Sequence, residues 1–420
     1  MVRKERLENG LTLITESMPH VRSVAVGVWL RQGSRHEPAD LNGASHFIEH
    51  MVFKGTKTRS AREIALAMDS VGGQIDAFTS KEYTCFYAKV LDEHLPIAVD
   101  LLSDIVLNPR FDEAEIERER KVVTEEIRMV EDTPEELVYD LFSSQFYPRH
   151  ALGRPIQGTE ETVSSLTRRR LLRYFHEAYR PGNMLIAAAG NLRHDRFART
   201  IRRAFAPMER VRGPVRAVTP PRPHSGIATR SKRELEQLHL VFGVPGFPER
   251  FKDRYALFVL NALLGGTMSS RLFQKIREER GLAYSVYSAV NAFSDTGLFM
   301  VYAATSPSSG REVLRLILDE ATSLAERGPD ASETGVAKEH LKGSLMLSLE
   351  STVSRMSNLA RQEIYFGRQF SLEEVLRGVE SVSPARIHRI AGTLFGKRRF
   401  ALAAVGRTTG LRLGRGMRWP

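Results

Sequence analysis

A single cysteine, Cys85, and two tryptophans are present among 420 residues. One thiol excludes an intrachain disulfide and any zinc site built from cysteine pairs, and it suits a reducing compartment. No stretch approaches the roughly 18 consecutive apolar residues that a membrane-spanning helix needs. The opening MVRKERLENGLTLITES lacks the apolar core and small-residue cleavage site of a secretory signal. It is not an Arg/Ser-rich amphipathic transit peptide either, so a cytoplasmic location is expected. The net charge of +11 comes without any helix-turn-helix, zinc-finger or RNA-binding signature. Basic residues are scattered among acidic ones, densest at Arg168, Arg169 and Arg170 and in the tail 407–420. A solvated basic surface accounts for this, and no nucleic-acid partner is expected.

What is present describes an ordinary globular chain, 42% hydrophobic and 26% charged. Its length suits two domains of about 200 residues each, with cores large enough to fold without a metal. The sharpest compositional break is 207–232, with five prolines and no apolar periodicity. The expected division is therefore a first domain at 1–206, a Pro-rich linker at 207–232 and a second, similar domain at 233–420.

In the first half, β-branched residues at 11–15 and 23–30 predict strands. Helices are expected over 42–53, from Ser60 with the capping box Ser60-x-x-Glu63, over 94–107, from Asp112 to about Val130, and after Thr133-Pro134. A strand pair is expected across 74–90. The second half repeats this order loosely, with strands near 238–244, 283–292 and 297–304, a helix over 255–264 and helices from Ser309 and Ser332. A register that sets Glu131 and Thr133 on Glu350 and Thr352 sets Glu126 on Leu345, a weak echo of duplication.

The chemical signal is His46-Phe47-Ile48-Glu49-His50. On a helix, His46 and His50 stand one turn apart on one face, so their imidazoles can converge on one ion. Glu49 lies on the same stripe and can reach a water activated by that ion. The order H-x-x-E-H is the inverzincin pattern, the reverse of H-E-x-x-H. Three fixed positions also recur by chance, on the order of a few per cent of the time, so packed or capping histidines remain an alternative. The flanking Phe47, Ile48 and Met51 argue against it, because charged or polar groups on a buried helix are costly unless paired.

A catalytic zinc site needs a third protein ligand and an open position. The carboxylate-rich stretch 115–127 is a candidate source. Val122, Val123 and Ile127 mark its core stripe, with Glu119 and Glu126 bordering it. One could bind metal while the other orients a histidine. Spacing alone does not choose between Glu125 and Glu126. A solvated face with charge pairs such as Glu117 and Lys121 is the plain alternative.

The histidine motif followed by this helix resembles the pitrilysin and mitochondrial processing peptidase family. GASHFIEHMVFKGT at 43–56 is similar to its metal helix, and GGQIDAFTS at 72–80 to the edge strand that pairs with peptide substrates. HALGRPI at 150–156 and GGTMSSRLF at 265–273 are similar to further family segments, Ala151 replacing a frequent Pro. The resemblance implies an α+β fold of two similar α/β sandwich domains, a duplicated half-clam, each a mainly antiparallel sheet flanked by helices. It implies one Zn2+ per chain held by His46, His50 and Glu126, with Glu119 in support and Glu49 as general base. It also implies peptide contacts at Asp76, Ala77 and Phe78, although the family commonly has Asn at the position of Asp76. Arg277 and Tyr284 match an Arg/Tyr pair that the family applies to substrate beside the metal; taken by spacing alone they read as a surface charge and a strand residue.

The function these features imply is zinc-dependent endopeptidase cleavage of peptides or unfolded, presequence-like segments inside a chamber. A homodimer is expected to close that chamber, a heterodimer with a paralogue being the variant. A non-catalytic assembly subunit is the rival from another class, and the intact motif speaks against it.

Overall fold

A computed structural model of the chain describes residues 2–209, 218–396 and 400–411. Residues 210–217 of the Pro-rich stretch and 412–420 of the basic tail lie outside the described residues.

The chain builds two sheets. The first contains β1 (Val2–Arg6), β2 (Thr12–Ser17), β3 (Ser23–Leu30), β4 (Gln74–Thr79), β5 (Thr84–Leu91) and β6 (Met184–Gly190), in the order β1-β2-β6-β3-β5-β4. The second contains β7 (Gly226–Ser231), β8 (Leu238–Pro245), β9 (Ala283–Ala292), β10 (Gly297–Thr305) and β11 (Ala401–Gly406), in the order β7-β11-β8-β10-β9. With β1 set aside, both sheets follow one plan. The first strand pairs parallel with the last, and every other pairing is antiparallel. The expected α+β architecture of two similar, mainly antiparallel domains is what the chain forms.

The two compact units are woven from alternating segments. Of the described residues, one comprises those within Met1–Arg128, Arg154–Thr219 and Leu347–Gln369, and the other those within Met129–Gly153, Pro220–Met346 and from Phe370 onward. The helix Pro134–Phe146, from the first half of the sequence, packs on β7, β8 and β11. The helix Thr352–Phe366, from the second half, packs on β2, β3 and β6. These helices hold equivalent places, and the register that pairs Thr133 with Thr352 brings their starts together.

Each sheet is buried on both faces, and strand alternation distributes its residues between two cores. In β3, Val24, Val26, Val28 and Leu30 join Phe47, Ile48 and Val99 on one side. Ala25 and Trp29 meet Met356, Leu359 and Ala360 on the other. In the second unit Phe299 and Val301 face one core, and Leu298, Met300 and Tyr302 the other.

Most expected elements form near their expected bounds, including the Ser60–Glu63 capping box at the start of Ala61–Asp69. Four strands were not foreseen. β6 (MLIAAAG) and β11 (ALAAVG) are alanine-rich and fully buried, with one β-branched residue each and no alternation. β1 is charged and largely exposed. β7 lies inside the stretch read as a linker, and its one large apolar residue, Ile227, is 39% exposed.

Candidate metal centre and active site

The helix Ala44–Met51 begins at Gly43, whose φ of +95° lies in the left-handed region. A Cβ there would stand 2.5 Å from the Gln157 carbonyl oxygen, so the entry turn requires glycine. The cap comes from the preceding loop. The Glu37 carboxylate accepts the Gly43 N–H at 2.9 Å and the Ser45 N–H at 2.7 Å. A negative group at this end also suits the helix dipole. Burial pushes the Glu37 pKa up, and the two N–H bonds counter that push. Phe47, Ile48 and Met51 are buried and fasten the helix to the core. His46, Glu49 and His50 are left on the partly exposed side.

The rings of His46 and His50 lie 4.7 Å apart, centroid to centroid. Opposite them runs the helix Glu113–Asp132. Its Glu126 Oε2 is 3.7 Å from His46 Nε2 and 3.6 Å from His50 Nε2. Glu125, one residue earlier, points to the exposed side and pairs with Arg128 at 2.7 Å. Of the two carboxylates that the spacing left open, Glu126 is the one that lies by the histidines. Two helical turns before it, Glu119 is nearly buried and accepts from His50 Nδ1 at 3.1 Å and from Lys54 Nζ at 2.6 Å. Glu117 pairs with Arg120 rather than Lys121.

This donor set fits a zinc ion. Ligand atoms about 2.1 Å from a tetrahedral ion stand roughly 3.4 Å from one another. The imidazole–carboxylate distances of 3.6 and 3.7 Å need only a few tenths of an ångström of closure. His46, His50 and Glu126 offer ligand atoms all within 4.8 Å of one another, the one such cluster among the described residues. Burial, followed by the neighbouring His50, pushes the His46 pKa down to about 4. Its imidazole is therefore neutral at neutral pH, the form that binds metal.

Glu49 makes one side-chain hydrogen bond among the described residues: the Thr79 hydroxyl donates to its Oε2 at 2.5 Å. Burial raises the Glu49 pKa; the Thr79 bond and His50 lower it, while Asp76 and Glu126 add to the rise. Thr79 closes β4, which pairs with β5 alone and is the edge of its sheet. Along β4, Ile75 and Ala77 pack against the core that holds Phe47 and Ile48. Asp76 and Phe78 lie on the opposite face, where Tyr87 donates to Asp76 at 3.3 Å and Trp29 meets the Phe78 ring edge-on at 5.6 Å.

In the second unit, the Arg277 guanidinium lies 4.6 Å from the centre of the Tyr284 ring and 4.7 Å from that of Phe273. Both stacks fall within cation–π range. Tyr284 is 77% exposed at the start of β9. With the glycine loop at Gly265 and Gly266 the pair lines a cleft of about 660 Å³. Sequence reasoning missed Glu37, Lys54 and the role of Thr79. Thr79 and Lys54 lay within quoted motifs, but no spacing rule ties them to Glu49 or Glu119. Glu37 carries no sequence signal as a cap, because it lies seven residues before the helix.

Comparison with known proteins bears on the family and the fold of the chain. The model of the insulinase peptidase family, M16, matches residues 12–160, and that of the peptidase M16 inactive domain matches 165–341. A protein of Bacillus subtilis named an uncharacterized zinc protease is 45% identical over 94% of this chain and 96% of its own length. One of Streptomyces coelicolor with the same description is 42% identical over 96% of this chain and 89% of its own. Among solved structures, a protease from Helicobacter pylori superposes with a TM-score of 0.91 at 21% identity, covering 96% of this chain and 99% of that one. A peptidase M16 inactive domain from Pseudomonas fluorescens superposes at 0.90, also at 21% identity, covering 97% and 98%. The chain belongs to the insulinase family of peptidases, M16, the kinship that its motifs indicate.

Proposed function

We propose that this chain is a zinc-dependent endopeptidase that cleaves peptides or short unfolded segments. The observation that carries the reading is the convergence of His46, His50 and Glu126, with Glu49 on the same helix as the histidines. The domain labelled inactive begins at residue 165, after all four of these residues. His46, His50 and Glu126 would hold one zinc ion per chain, and Glu119 would orient His50 through Nδ1. Zinc, when bound, supplies Lewis acidity, lowering the pKa of water toward about 7 and polarising a carbonyl.

The remaining chemistry belongs to the chain. Glu49 has Oε2 engaged by Thr79, and Oε1, without a hydrogen-bond partner among the described residues, would accept the proton of an attacking water and pass it to the leaving amine. An extended peptide adding to the edge of β4 near Asp76, Ala77 and Phe78 would be held by main-chain hydrogen bonds. Arg277 and Tyr284 would bind a substrate carbonyl or its developing oxyanion. The assembly that fits this reading is a homodimer enclosing a chamber that excludes folded proteins. A cytoplasmic site of action fits the single free thiol.

The direct test is Glu49→Gln. The purified variant should retain zinc and lose at least about 100-fold in hydrolysis of a quenched peptide, the usual scale for a general base. Turnover near wild type would remove Glu49 from the mechanism.

A further inference from the structure

The base of the proposed peptidase and the strand proposed to receive substrate are joined by one side chain. β4 ends at Thr79, and its alternation puts Ile75, Ala77 and Thr79 on the face toward the helix Ala44–Met51. The Thr79 hydroxyl has a single proton to donate, and that proton goes to Glu49 Oε2 at 2.5 Å. A carboxylate on a helix ordinarily has two or three rotatable bonds with which to wander. Among the described residues its other neighbours exert charge without a hydrogen bond, so the Thr79 contact is the one that ties down the carboxylate. The contact spans 30 residues of sequence and links the helix to the edge strand of the sheet.

We propose that Thr79 is a positioning residue for catalysis: its hydroxyl fixes the Glu49 carboxylate in register with the strand to which substrate adds. The inference rests on the peptidase reading above. A peptide paired with β4 takes its position from the backbone of that strand, and the base takes its position from the last side chain of the same strand. Substrate and base therefore share one reference frame, and a shift of β4 carries both together. Losing the hydroxyl leaves the base present but unoriented, which costs rate rather than affinity.

The experiment compares Thr79→Val, which keeps the volume and removes the hydroxyl, with Thr79→Ser, which keeps the hydroxyl and removes the methyl group. Zinc content, KM and kcat are measured for both on the same quenched peptide, alongside wild type and Glu49→Gln. The expected result is full zinc content and unchanged KM in both variants, with kcat lowered about tenfold in Thr79→Val and near wild type in Thr79→Ser. A purely packing role gives the reverse order, with Val tolerated and Ser impaired, and overturns the proposal. Equal kcat in wild type and Thr79→Val also overturns it while leaving the peptidase reading intact. A wild-type protein with zinc bound but no chelator-sensitive hydrolysis overturns both. If Thr79→Val loses zinc or unfolds while Thr79→Ser does not, the hydroxyl is structural and the proposal fails.

Discussion

Replacing Glu119 with Gln tests how the proposed metal centre is supported. Glu119 is nearly buried and serves two donors, His50 Nδ1 at 3.1 Å and Lys54 Nζ at 2.6 Å. A glutamine of the same shape offers one acceptor oxygen and one NH2 group. If the oxygen keeps the imidazole proton, the NH2 faces the Lys54 ammonium; if it keeps Lys54, the NH2 faces the Nδ1 proton. Either way a donor meets a donor, and His50 loses the anionic partner that holds its ring in place as a ligand. Loss of such a supporting carboxylate costs about 10- to 100-fold in metal affinity, or roughly 1.4–2.7 kcal/mol. Zinc affinity is measured by competition with a chromogenic chelator at neutral pH. The zinc-saturated variant should keep substantial kcat, because Glu49 and the three ligands remain. Lys54→Met provides the contrast: it leaves the carboxylate to His50 alone, so zinc affinity should hold. A Glu119→Gln protein that binds zinc as tightly as wild type would refute the reasoning, as would an affinity loss confined to Lys54→Met.

Two further outcomes follow. Glu126→Gln should weaken zinc binding and lower the rate together, whereas Glu125→Gln should change neither, since Glu125 pairs with Arg128 on the exposed side; zinc titration and peptide assay on both proteins check this. In a homodimer whose sites combine the metal of one protomer with the Arg277/Tyr284 pair of the other, mixing Glu49→Gln with Tyr284→Phe should restore about a quarter of wild-type activity per site after random exchange. No recovery, with exchange verified by a labelled protomer, would exclude sites shared between protomers.

The features that were legible in the sequence share a physical cause. His46, Glu49 and His50 are close in the chain, and helical geometry alone brings them onto one side. The Ser60–Glu63 box is likewise a local device, and it formed as read. Glu126 needed more, since a turn of about 100° separates it from Glu125 and the partner helix is distant in sequence. Glu37 and Thr79 act through long-range contacts that no periodicity encodes. β6 and β11 were hidden because strands buried on both faces lose alternation, and alanine gives no β signal. The exchange of the helices Pro134–Phe146 and Thr352–Phe366 between units was illegible for a related reason. An apolar stripe states that a helix is covered, and not which sheet covers it.

The proposed function rests on one zinc ion at His46, His50 and Glu126. It is tested most directly by stripping the protein with a chelator and returning zinc in measured steps while following cleavage of a quenched peptide. Activity should rise linearly and stop rising at one zinc per chain, and His46→Ala and His50→Ala proteins should recover nothing over the same range. Full activity in the stripped protein, or recovery that survives loss of either histidine, would contradict it.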